Sequence, residues 1–162
     1  MTITATIQNS ANKNQVTVQT DGAEKEVSIP PKTNGQGSSV NGGELLFLAL
    51  ATCFCNDLYR ESVRRSISIE SVNVRVAGEF GKEGEPATNI KYHVDVKSPA
   101  TPNQIRDLIA HVDRVAEIHN TLRQGVAVTI EWASTLQHKL NYSANPTSFI
   151  CYTNFKQWKE AE

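Results

Sequence analysis

The segment Leu45–Cys55 reads LLFLALATCFC, and only Thr52 in it carries a conventional polar side chain. Its 11 residues fall well short of the ~20 that cross a bilayer. A run apolar on every face at this length is a helix buried all round. Glu44 stands at its start, where a carboxylate suits the positive end of the helix dipole. Beyond Cys55, Asn56, Asp57, Arg60 and Glu61 alternate with Leu58, Tyr59 and Val63, so the helix turns amphipathic and is expected to run from about Gly43 to about Arg65. One small six-stranded domain with a single further helix cannot cover such an element on all sides. A homodimer is therefore expected.

Around this helix the pattern is mostly extended. Thr2–Gln8, Gln15–Thr20 and Lys25–Pro30 carry Ile, Val and Thr at period two, separated by Asn12–Asn14 and Asp21–Gly22, which predicts an antiparallel meander. Pro31–Gly43 is a Gly-, Ser- and Asn-rich loop. Ser68–Phe80 and Thr88–Lys97 alternate through Val72, Val74, Val76 and Ile90, Tyr92, Val94, Val96, which predicts a long hairpin. Thr101-Pro102 opens a second helix, a cap residue followed by proline at the first helical position. Ile105, Leu108, Ile109, Val112 and Val115 follow at helical spacing; the pattern loosens over Ala116–Arg123 and stops at Gly125. Val126–Trp132 is expected as a last strand. The predicted order is β-β-β-α-β-β-α-β, an α+β domain over residues 1–132. Residues 133–162 follow no clean period but carry eight large apolar side chains, and are expected to pack on the body or on a partner subunit.

At 162 residues the chain can bury a core without staples. Its 16 basic and 17 acidic residues leave a net charge of -1, which gives no reason to expect nucleic acid or an anionic membrane as partner. The opening MTITATIQNS lacks the features of a signal peptide. Three cysteines form neither a C-x-x-C nor a metal pattern, so free thiols in a reducing cytoplasm are expected. His93, His111 and His138 complete no metal site with them, and no cofactor is implied.

These residues carry a resemblance. "NGGELLFLALATCF" and the element order resemble the osmotically inducible protein C / organic hydroperoxide resistance (OsmC/Ohr) family. There an Asn-Pro-Glu-Glu/Gln-Leu-Leu/Phe segment opens a central helix and an Ala-Ala-Cys-Phe segment follows about three turns later. Asn41, Glu44, Leu45 and Leu46 match the first; Ala51, Thr52, Cys53 and Phe54 match the second. The resemblance spans roughly residues 1–132. It implies an intertwined homodimer with two central helices against antiparallel sheets and active sites at the subunit interface. It also implies thiol-based reduction of hydroperoxides, organic ones preferred, with a dithiol reductant restoring the cysteine.

Cys53 matches the family's peroxidatic cysteine. The resolving cysteine of a Cys-Pro-x-Ser-Asn-x-x-Arg run falls on Ala116, while Asn120 and Arg123 match and His119 stands at the serine. The catalytic glutamate, ten residues before the cysteine, falls on Gly43, and Glu44 is turned by about 100° from it. The activating arginine of the first loop is missing; Lys13 is the only cation there. A thiol attacks peroxide as thiolate and needs a lowered pKa, so the activator is sought among His119, Arg123, Lys13 and Lys32. The catalytic candidates are thus Cys53, Glu44 and His119, with Cys151 as a candidate resolving thiol. Cys55, about 200° around the helix from Cys53, is expected to be packing. Two functions stay open: a thiol peroxidase working through Cys53 with an external thiol, and a dimer that has lost the chemistry and binds a small apolar ligand in a cleft lined by Phe47, Leu50, Phe54 and Trp132.

Overall fold

The computed structural model describes residues 1–131. Contacts divide the chain into two units, Met1–Val126 and Ala127–Glu162. The expected packing of the 133–162 extension, Cys151 and Trp132 lie outside the described residues.

Three strands, β1 (Ile3–Ser10), β2 (Lys13–Thr20) and β3 (Ala23–Glu26), form an antiparallel sheet in that order. Its turns place Asn12 and Asp21 at positive φ (59° and 47°), which short polar side chains tolerate better than others. β3 is shorter than expected and shifted towards the N-terminus. One further bond, Val27 N–H to the Val16 carbonyl (3.0 Å), extends the pairing. Pro30 and Pro31 then have no N–H to offer.

Helix α1 (Gly42–Arg64) fills the expected span. Asn41 and Glu44 close its start reciprocally. The Asn41 side chain accepts from the Glu44 N–H (3.0 Å), and the Glu44 carboxylate accepts from the Asn41 N–H (2.7 Å). Strands β4 (Ser71–Phe80) and β5 (Ala87–Lys97) form the expected hairpin as a separate two-stranded sheet. A bulge between Ala77 and Glu79 leaves Gly78 unpaired. There a Cβ would come within 2.8 Å of the Phe47 ring. Phe47 in turn stacks on Phe80 at 5.7 Å, and a Cβ on Gly43 would meet Phe80 at 2.7 Å. Two side-chain-free positions thus let the start of α1 dock closely on the far end of β4.

Helix α2 (Pro102–Val115) begins at Thr101, which forms a second capping box with Gln104. Ala116 ends α2 and begins a short helix, α3 (Glu117–Gln124), which Gly125 terminates in the left-handed conformation (φ 63°). The core gathers Phe54 and Leu58 of α1, Leu108 and Val112 of α2, and Ala116, all fully buried. Val72 and Val74 of β4, Val94 and Val96 of β5, Tyr92, Ile67, Ile69, Ile109 and Cys53 pack against them. Fully burying each large apolar side chain stabilises the fold by roughly 1.5–3 kcal/mol.

Two expectations need correction. The loosened pattern at Ala116–Arg123 is a helix of its own, because eight residues with a left-handed glycine stop suffice for two turns. The last strand is not formed over residues 126–131, where Val126, Val128 and Ile130 stand in solvent. Among the described residues no strand pairs with that segment, and alternation without a neighbour does not make a sheet. The α+β class stands.

Candidate functional site

Cys53 lies in the middle of α1, half-buried, where α1 meets the start of α3. Its thiol donates to Asp57 Oδ2 (3.6 Å) and reaches Glu117 Oε2 (4.0 Å). Asp57 is one turn along the same face of α1, at the spacing that brings helical side chains together. Glu117 is the first residue of α3. One further turn along α1, Arg60 supplies the positive charge between them, 2.7 Å from Asp57 and 3.9 Å from Glu117. The sulfur and one oxygen of each carboxylate lie within 4.8 Å of one another. Cys53 is therefore held by partners, not free to turn.

Those partners set its chemistry. Burial pushes the Cys53 thiol above its ordinary range, and the neighbouring Asp57 and Glu117 charges push the same way; only the Ile118 N–H at the start of α3 favours the thiolate. Asp57 is itself raised, by burial first, although Arg60 opposes it. The same stripe continues into a network around buried Glu61, which is bound by Arg64 (2.7 Å), His111 (3.1 Å) and Arg60 (3.2 Å). Burial alone would raise Glu61, but these donors together hold it below the usual carboxylate range.

The other expected site residues fall into three groups. His119 is near the thiol's helix junction but faces elsewhere: its ring packs edge-on against Phe54 (5.4 Å) and Tyr92 (5.0 Å). Burial and the Arg123 charge lower its pKa, so it is neutral near pH 7. Arg123 is committed to Asp113, with Nη2 2.6 Å from the carboxylate and Nη1 2.9 Å from the backbone oxygen. Tyr92 donates to the same carboxylate, and burial followed by that bond raises its hydroxyl to about 12. Glu44 is spent on the helix cap, nine residues and about 13 Å of helix axis from Cys53. Lys13 opens β2, paired with Ser10, and Lys32 lies in the loop after β3; neither is among the charges acting on the thiol. Of the expected cleft wall, Phe54 is fully buried and Phe47 is taken up by Phe80, while Leu50 does line a cleft. Ala116 is fully buried in the cluster against which Cys53 packs. Cys53 and Cys55 are both free thiols. Sequence reading missed Asp57, Arg60 and Glu117. The spacing 53, 57, 60 would have revealed the first two.

No helix among the described residues is long and apolar enough to cross a membrane. A comparison with curated proteins finds no match. The family model for OsmC-like proteins matches residues 35–131, more than half of the chain. Among solved structures, the chain is similar to an OsmC-like protein from Mycoplasma pneumoniae, with 22% identity and a TM-score of 0.53 over 74% of this chain and 87% of that one. It is also similar to an organic hydroperoxide resistance protein from Elizabethkingia anophelis, with 22% identity and a TM-score of 0.51 over 76% and 89%. At such identities these two likenesses speak for the fold. Together with the family match over α1, the hairpin and both following helices, they make this chain a member of the OsmC-like protein family.

Proposed function

We propose that this protein reduces organic hydroperoxides through Cys53, as a homodimer and with an external thiol as reductant. The observation that carries the reading is the position of Cys53: a half-buried thiol in mid-α1, beside the Ile118 N–H at the start of α3. The Cys53 sulfur attacks the distal peroxide oxygen, the O–O bond breaks, and the departing alkoxide takes the thiol proton and leaves as the alcohol. Asp57, which accepts from the thiol, is placed to hold that proton in transit. Cys53 is left as a sulfenic acid, two electrons more oxidised. With alanine at position 116, one external thiol displaces water to give a mixed disulfide, and a second releases Cys53.

Because the surroundings disfavour the thiolate, the reaction is slow at neutral pH in the single chain. A cation from the partner subunit would speed it. The dimer itself is supported by the apolar or uncharged side chains that α1 leaves exposed, Leu48, Thr52, Tyr59 and Val63, and by a β1 strand exposed along its whole length.

Intact mass spectrometry after one equivalent of cumene hydroperoxide tests the reading. The expected product gains one oxygen, reacts with dimedone and is absent in Cys53→Ser. A loss of two hydrogens mapped to Cys53 and Cys151 would replace the external thiol with an internal one. An unchanged mass, with all thiols still titratable after denaturation, would overturn the enzyme and leave the ligand-binding dimer.

A further inference from the structure

A cleft of about 230 Å³ opens beside the thiol's helix junction, lined by Leu50 of α1, Ile90 and Tyr92 of β5, and His119, Leu122 and Arg123 of α3. Cys53 is not part of its wall. Leu50, Ile90 and Leu122 make much of that wall apolar. His119 adds only carbon to it, because both ring nitrogens are buried out of reach. Among these six residues Arg123 alone is charged, and its side chain is 48% exposed.

Arg123 is held from one edge only. Its Nη1 donates to the Asp113 backbone oxygen (2.9 Å) and to Asn120 Oδ1 (3.4 Å), and its Nη2 donates to the Asp113 carboxylate (2.6 Å). The Tyr92 hydroxyl donates to that same carboxylate and fixes it behind the guanidinium. A guanidinium carries five N–H groups in a rigid fork. Three are spent here, all at the end that bears Nη1 and Nη2. The Nε–H and the second Nη2–H have no acceptor among the described residues. These two run side by side, at the spacing of the two oxygens of a carboxylate. A carboxylate therefore meets a ready pair of donors, and the apolar wall takes its hydrocarbon body. A phosphate would bring a second negative charge, and no second cation lines the cleft to meet it. An ammonium would face the guanidinium as a like charge. Asp113 stands at the far edge of the guanidinium and off the wall, so it weakens an incoming anion without taking its place. A dry cavity of about 150 Å³ takes up benzene, so this larger cleft has room for a ring with a short arm. We infer that the cleft binds a monocarboxylate on a ring-sized apolar body, its two oxygens on the free edge of Arg123. This site goes beyond the peroxide reading, because the thiol does not line it.

Phenylacetate is the probe, followed by NMR on the reduced full chain carrying methyl-labelled Leu and Ile and ring-13C-histidine. The Leu50 and Ile90 methyl signals and the His119 ring C–H signals are identified by their loss in Leu50→Met, Ile90→Val and His119→Gln. All should shift saturably with phenylacetate. Phenylacetamide, the same shape without the charge, should bind about tenfold more weakly, and phenethylamine should give no saturable shift. Arg123→Gln should weaken phenylacetate by about tenfold or more. Asp113→Asn keeps an acceptor for Arg123 and removes the competing charge, so it should tighten phenylacetate by about threefold. A gain cannot come from misfolding, and this variant carries the test if Arg123→Gln does not fold. Methyl signals that stay still up to the solubility limit of phenylacetate would overturn the inference. So would equal binding of phenylacetamide, a saturable shift with phenethylamine, undiminished binding in Arg123→Gln, or an Asp113→Asn variant that binds no tighter. The titration contains no peroxide, so none of these outcomes bears on Cys53.

Discussion

Cys53 and His119 stand on the two sides of one helix junction, and their surroundings are opposites. The thiol has two carboxylates, a backbone N–H and a nearby guanidinium. The imidazole has two aromatic rings and no hydrogen-bond partner. The group expected to react is tied to anions that quieten it. The group with no assigned role is the one left buried, neutral and unpaired among the described residues. A side chain's chemical reputation is thus a poor guide to which atom a fold leaves available; the partners decide.

The sharpest way to break this contrast is to remove the sulfur. Cys53→Ser should abolish all dimedone-reactive oxidation by hydroperoxide while leaving the His119 signals in place. If oxidation persists, Cys55 or Cys151 carries it. Next in size is the core on which both groups rest. Phe54 is fully buried between them, and Phe54→Ala should cost roughly 3–5 kcal/mol, read as a lower urea midpoint. A cost below ~1 kcal/mol would mean that the two sites do not rest on one core.

A smaller effect sharpens the thiol side. Asp57→Asn removes a charge that raises the Cys53 pKa, so alkylation by iodoacetamide near pH 7 should speed up by roughly 3- to 10-fold, and its pH profile should move to lower pH. An unmoved profile would show that Asp57 does not quieten the thiol. The smallest effect concerns the imidazole. His119 has a lowered folded pKa, so below an unfolded value of ~6.5 the unfolded chain binds more protons than the folded one. Stability contributed at neutral pH is then lost as pH falls from about 7 towards 5. Asp57 and Asp113 oppose this shift and Arg123 supports it. His119→Gln should flatten that stretch of the stability curve, measured by urea unfolding.

Much of this arrangement was legible in the residues. The apolar run fixed α1, and Asn41 with Glu44 marked its start. Thr101-Pro102 marked α2, and valine alternation marked the β4–β5 hairpin. α3 was not legible because its cap, Ala116, has no side chain with which to signal one. The last strand was misread because alternation reports a face that could be buried, not whether a neighbour exists to bury it. The anionic cage was missed for another reason. Attention to Cys53 as a nucleophile looked for cations far along the chain, while its nearest charges were one and two turns away on its own helix, with Glu117 joining them only through the unrecognised α3.

The packing at the start of α1 also limits which side chains that helix can carry there. At Gly43 a Cβ would meet the Phe80 ring, itself stacked on Phe47. Gly43→Glu alone would have to dislodge that stack before its carboxylate could reach anything. A side chain at position 43 is therefore accommodated only together with a smaller residue at position 80, so the helix start and the hairpin end constrain each other's sequence.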